Sequence, residues 1–152
     1  MIKKNLINIL ILLFFLSGCS YSPIFSNKNS NFSIYELSAS GNNKLNKIII
    51  NRLNNYKGSD SDKKYSLTIE TNLNKEISSK DSKGNPKSYR INLVSNILVK
   101  DLNGIIKNKS FSKSVDYNNR SDKSDLKKYE SETLKNLADK ISDEIIIYLQ
   151  SI

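Results

Sequence analysis

The sequence predicts an α+β domain, a two-layer sandwich in the order β-α-β-β-β-α. Three observations predict it. Tyr65, Leu67, Ile69, Leu73 and Ile77 share one parity, which is the pattern of a strand with one apolar face. Leu126, Leu134, Ile141, Ile145, Leu149 and Ile152 fall on a sustained 3.6-residue stripe, which is an amphipathic helix. Turn residues at Asp81–Pro86 and Asp101–Gly104 divide the stretch between them into consecutive antiparallel strands. Strands in a run with two amphipathic helices favour helices layered on one face of a mostly antiparallel four-stranded sheet.

The chain opens with Lys3 and Lys4, then an apolar run from Leu6 to Leu16. That run is too short to span a bilayer as a mature helix, so residues 1–18 read as a signal peptide. Leu16-Ser17-Gly18-Cys19 resembles the lipobox, the cleavage signal of bacterial lipoproteins. Small residues at 17 and 18 let the chain lie extended in a peptidase cleft, and the Cys19 thiol is the group that takes a diacylglycerol thioether. An ordinary signal peptide with an incidental cysteine is the alternative. Acyl chains on Cys19 would anchor the protein stably, at about 0.8 kcal/mol per buried methylene. Ser20, and not Asp, follows the cysteine, which under the usual sorting rule favours the outer membrane, facing the periplasm. Residues 19–31, rich in Ser and Asn, read as the lipidated cysteine and a tether. Residues 32–152 are expected to form a single domain.

Phe32–Leu37 is a short strand candidate, punctuated by Gly41-Asn42-Asn43. Leu45, Ile48, Ile49, Arg52, Leu53 and Tyr56 then follow at helical spacing and end near Gly58. Asp60 to Lys64 is a polar loop. The long strand from Tyr65 carries Ser66, Thr68, Glu70, Asn72 and Asn74 on its second face. The next strand has Tyr89, Ile91, Leu93, Ile97 and Val99 on one parity, with Val94 and Leu98 on the other. Ile105 to Tyr117 is the fourth strand, with Phe111, Val115 and Tyr117 in step. Asn118 to Lys123 is a charged loop, and Ser124 or Asp125 is placed to cap the last helix. Both helices are expected on one sheet face, leaving the other uncovered and rich in Ser, Thr and Asn.

The formal net charge is +9, with no histidine and one cysteine. Without histidine the chain lacks the commonest general base and metal ligand, and one cysteine allows neither an internal disulfide nor a cysteine-based zinc site. No catalytic residue, metal or cofactor is expected. A carboxylate hydrolase would have Asp81, Asp101 and Asp116 as candidates, but all three sit in or beside turns, where Asp is expected anyway. Removing Lys3 and Lys4 leaves a side-chain charge of +7. That surplus is either a solvated Lys-rich surface or an attraction to an anionic partner such as lipid head groups. Export argues against nucleic acid.

Cys19-Ser-Tyr-Ser-Pro23-Ile-Phe25, the β-α-β-β-β-α order, Gly84-Asn-Pro-Lys-Ser-Tyr89, Asp101-Leu-Asn-Gly104 with the strand ending at Tyr117, and the Glu130–Leu149 helix together resemble the LPS-assembly lipoprotein family, the LptE type. The resemblance implies a non-catalytic subunit. Such proteins plug an outer-membrane β-barrel that inserts lipopolysaccharide into the outer leaflet, help it fold, and bind lipopolysaccharide. It also implies lipopolysaccharide contacts from basic residues at the second-to-third strand turn and before the last helix. The nearest matches are Lys80 or Lys83, and Arg120 or Lys123, with Lys87 flanking the same turn as a further candidate. A solvated Lys-rich loop is the alternative for these residues, as a plain solvent-facing sheet is for the polar face. A secretin pilot or a cell-wall-binding lipoprotein would also fit an exported adapter of this size.

Overall fold

The computed structural model describes residues 30–152. The signal peptide, Cys19 and all but the last residues of the tether lie outside the described residues. The elements are β1 (Ser33–Gly41), α1 (Asn43–Leu53), a 3-10 turn (Asn54–Tyr56), β2 (Lys64–Lys80), β3 (Pro86–Asp101), β4 (Ile106–Asn118) and α2 (Lys123–Ser151). The strands lie in the order β1-β2-β3-β4. β1 runs parallel to β2 because α1 carries the chain back between them, and the other two pairs are antiparallel hairpins. The predicted α+β sandwich and its element order are the observed ones.

Local chemistry sets the boundaries. β1 continues past Leu37 to Gly41, in register with β2 from Leu37↔Leu67 to Gly41↔Thr71. Gly41 has φ +87, a conformation that side chains with a Cβ disfavour, and this releases the chain from the sheet. Asn42 then caps α1, its Oδ1 accepting from the Leu45 N–H at 3.1 Å. The cap of α2 is Asp122, not Ser124 or Asp125. A capping side chain must precede the amides it satisfies, and Asp122 Oδ1 accepts from the N–H groups of Ser124 (2.7 Å) and Asp125 (3.2 Å). The two expected caps are thus the groups being capped.

Both helices pack on one sheet face. Leu67, Ile69, Ile91, Leu93, Ile97 and Val99 meet Leu45, Ile49 and Leu53 of α1 and Ile141, Ile145 and Leu149 of α2, all buried. Each such side chain contributes about 1.5–3 kcal/mol by leaving water. The layer is uneven. α1 is about 16 Å long, whereas the 17 residues of β2 extend about 56 Å. Leu73 and Ile77 keep the core parity but lie beyond α1 and are exposed. α2, about 44 Å long, runs along β3 and β4. Where the apolar parity is broken at Thr71 and Ser95, the two buried hydroxyls bond each other at 3.1 Å. Among the described residues no helix is long and apolar enough to cross a membrane.

Candidate functional site: a polar sheet face ending in a basic surface

The uncovered sheet face is built by strand alternation. β2 presents Ser66, Thr68, Glu70, Asn72 and Asn74, and β4 presents Asn108, Ser110, Ser112, Ser114 and Asp116, with β3 between them. Short polar side chains bond across the strands, as Ser112 Oγ does to Asn92 Oδ1 at 3.1 Å. The charges nearly cancel: Glu36, Glu70, Glu76 and Asp116 stand against Lys64, Arg90 and Lys100. Arg90 forks onto Asp116 through Nε (2.9 Å) and Nη2 (2.8 Å), which holds the Asp116 carboxyl below the usual aspartate range. Leu98 and Val94 interrupt the polarity. A shallow depression of about 450 Å³ beside Leu98 is lined by Ser40, Thr68, Glu70, Asn96 and Asn108.

At one end of this face the structure joins the two basic segments that the sequence placed 33 positions apart. Asn119 is the link. Its N–H donates to the Lys87 carbonyl and its Nδ2 to the Pro86 carbonyl, both at 2.8 Å. Lys123 Nζ donates to Asn119 Oδ1 and to the Arg120 carbonyl, both at 3.2 Å. Lys80 ends β2 opposite Pro86, and Lys83 lies in the turn. That turn is closed by Asp81, whose Oδ1 accepts from the N–H groups of Asn85 (2.8 Å) and Lys83 (2.9 Å), and these bonds lower its pKa. Lys80, Lys83, Lys87, Arg120 and Lys123 are all exposed. The five candidate residues therefore share one surface.

An aromatic cluster lies behind it. Register sets Tyr89 against Tyr117, with ring centroids 5.7 Å apart, and Tyr129 of α2 lies 5.7 Å beyond. The Arg120 guanidinium stands 4.5 Å over the Tyr129 ring. Lys75 Nζ sits 4.4 Å over Tyr89 and 2.6 Å from Glu130, which also accepts from the Tyr117 hydroxyl at 2.6 Å. Burial, then the bond to Glu130, pushes the Tyr117 phenol far up. Burial alone would raise Glu130, but Lys75 and Tyr117 outweigh it and the net shift is downward. No local pattern in the sequence marks this cluster. Tyr89 and Tyr117 were visible as strand-parity residues, but their meeting depends on hairpin register and on a third element.

The third candidate carboxylate also has a structural role. Asp101 closes the β3–β4 turn, accepting from the N–H groups of Asn103 and Ile105 at 2.9 Å, as Asp81 closes the turn at the other end of β3. Among the described residues no group of three or more potential metal ligands gathers. Cations and aromatic faces on one surface suit recognition of anionic head groups.

These features define a class: a small α+β sandwich with one bare polar sheet face and a basic, aromatic-backed end. No protein-family model and no curated protein sequence matches the chain. Solved structures do. The chain is similar to rare lipoprotein B from Shewanella oneidensis, with a TM-score of 0.61 at 21% identity over 78% of this chain and 95% of that one. It is similar to a minor lipoprotein from Acinetobacter baumannii, with a TM-score of 0.58 at 14% identity over 81% and 92%. It is also similar to lipoprotein B from Nitrosomonas europaea, with a TM-score of 0.56 at 11% identity over 78% and 84%. At these identities the likeness establishes a shared fold, one that solved lipoproteins adopt.

Proposed function

We propose that this chain is a non-catalytic lipoprotein, anchored through Cys19 in the outer membrane and facing the periplasm. In this reading it plugs the β-barrel that inserts lipopolysaccharide into the outer leaflet, helps that barrel assemble, and binds lipopolysaccharide. The observation that carries the reading is a nearly neutral, polar sheet face that terminates in one basic surface. Many short hydrogen-bonding side chains can meet a wet barrel wall without burying charge. The basic end offers Lys80, Lys83, Lys87, Arg120 and Lys123 to phosphates. The shared fold with solved lipoproteins and the lipobox-like Leu16–Cys19 support the anchor.

Affinity purification from detergent-solubilised membranes tests the reading. The expected result is a stable complex with one large β-barrel. Recovery in a multimeric ring, or retention on the cell wall, would replace it with the pilot or cell-wall alternative.

A further inference from the structure

The four most exposed large apolar side chains among the described residues lie at one end of the fold, opposite the basic surface. They are Leu102 (66%), Ile105 (56%), Ile106 (56%) and Ile147 (55%). Three belong to the β3–β4 hairpin tip. The turn does not need them: Asp101 and Gly104 close it, through the Asp101 side chain and a Gly104 N–H to Asp101 carbonyl bond of 3.2 Å. Isolated exposed apolar residues are ordinary, but a group of this kind marks a surface with a partner.

The path of the chain names the partner. Ser33 N–H donates to the Lys63 carbonyl, and the Asn31 side chain to the Gln150 carbonyl, so the segment leading from Cys19 enters at this same end. Tyr65, beside that entry, pairs with Asp101 at the hairpin. Ser30 lies eleven positions after Cys19, a reach of at most about 40 Å. The basic surface lies a further strand length away, about 56 Å along β2. An anchor on Cys19 therefore brings the apolar tip to the membrane first. The surrounding charge suits an anionic lipid surface: Lys57, Lys63, Lys64, Lys100 and Lys107 outnumber Asp60, Asp62 and Asp101, and Asp101 is engaged in the turn.

We infer that the Leu102–Ile106 tip docks on the lipid surface that holds Cys19, with its apolar side chains at the boundary between head groups and acyl chains. This contact rests on the proposed Cys19 anchor and adds a second point of attachment that fixes the orientation of the domain.

The chain contains no tryptophan, so one introduced indole reports its surroundings alone. Leu102→Trp, Ile105→Trp and, at the far end, Lys83→Trp would be made in the full chain. The processed proteins would be reconstituted in phosphatidylethanolamine–phosphatidylglycerol vesicles with brominated acyl chains, and the mass of the Cys19 peptide read separately. The expected result is blue-shifted emission and several-fold stronger quenching at 102 and 105 than at 83. An acylated Cys19 with unquenched indoles at 102 and 105, or equal quenching at all three positions, overturns the docking and leaves the anchor standing. A Cys19 peptide without acyl chains overturns both.

Discussion

Asn119 donates its backbone N–H to the carbonyl of Lys87 at 2.8 Å, and this bond fixes the start of β3 to the loop that leads into α2. Its side chain repeats the link to Pro86 and accepts from Lys123. One asparagine thus turns two separate basic segments into one surface. The segments are tied together by these bonds while their lysine ends stand exposed, which suits charge pairing with a head group.

Charge reversal should expose that unity. Each exposed charge contact is worth about 0.5–1 kcal/mol. Lys80→Glu, Lys83→Glu and Lys87→Glu together should then weaken lipopolysaccharide binding about tenfold to a hundredfold at low salt. Arg120→Glu with Lys123→Glu should act in the same direction, and the two sets should combine less than additively because they share one surface. Titration of purified protein with lipopolysaccharide at two ionic strengths measures this. Unchanged binding at low salt would rule out the basic end as the contact.

Gly41 and Gly84 both have positive φ, yet their substitutions should differ sharply. A Cβ on Gly41 would stand 2.2 Å from the Thr71 carbonyl oxygen, which already accepts from the Asn42 N–H. Gly84 has open space around it. Gly84→Ala should cost only the left-handed backbone penalty, about 1–2 kcal/mol. Gly41→Ala adds a backbone clash at the β1–α1 junction and should cost about 3 kcal/mol or more. Urea midpoints of the two variants give the comparison, and equal losses would contradict it.

Thr71 and Ser95 form the one buried side-chain pair described across β2 and β3, and each hydroxyl satisfies the other. Removing one partner strands the other in the core, so Thr71→Val and Ser95→Ala should each cost about 1–2 kcal/mol. Removing both leaves nothing stranded. The double variant should be more stable than the sum of the singles implies, by about 1 kcal/mol. Additive losses would mean that each hydroxyl finds another partner.

Much of this architecture was legible in the sequence. The Tyr65–Ile77 parity and the Leu126–Leu149 stripe are local patterns, and local patterns survive into the fold. What was not legible depends on relative length and register. Leu73 and Ile77 read as core, but α1 is too short to cover them. Lys109 and Lys113 break the apolar parity of β4, yet α2 brings the Tyr148 ring over Lys109 and Glu144 to Lys113. The cap at Asp122 lies four residues before Leu126, where the apolar stripe begins, so the stripe alone does not mark it. The basic residues were visible in the sequence; the bond through Asn119 that joins them was not.

Tyr117 and Glu130 make the stability of the domain sensitive to pH in two windows. The Glu130 value is lowered in the fold, so its contribution is present above the ordinary glutamate pKa, near 4.3, and is lost as pH falls through the folded value. The Tyr117 value is raised, so its contribution is present below the ordinary phenol pKa, near 10, and is lost as pH rises beyond it. Tyr117→Phe should cost about 1–2 kcal/mol at neutral pH, since a charge-assisted bond is lost while Lys75 still holds Glu130. It should also remove part of the alkaline loss and shrink the acid loss, because Glu130, less strongly held as the anion, then titrates closer to its unfolded value. Urea unfolding across the pH range, compared between wild type and Tyr117→Phe, reads both windows. A variant whose stability profile is displaced by a constant amount at every pH would show that the hydroxyl packs there without coupling to Glu130.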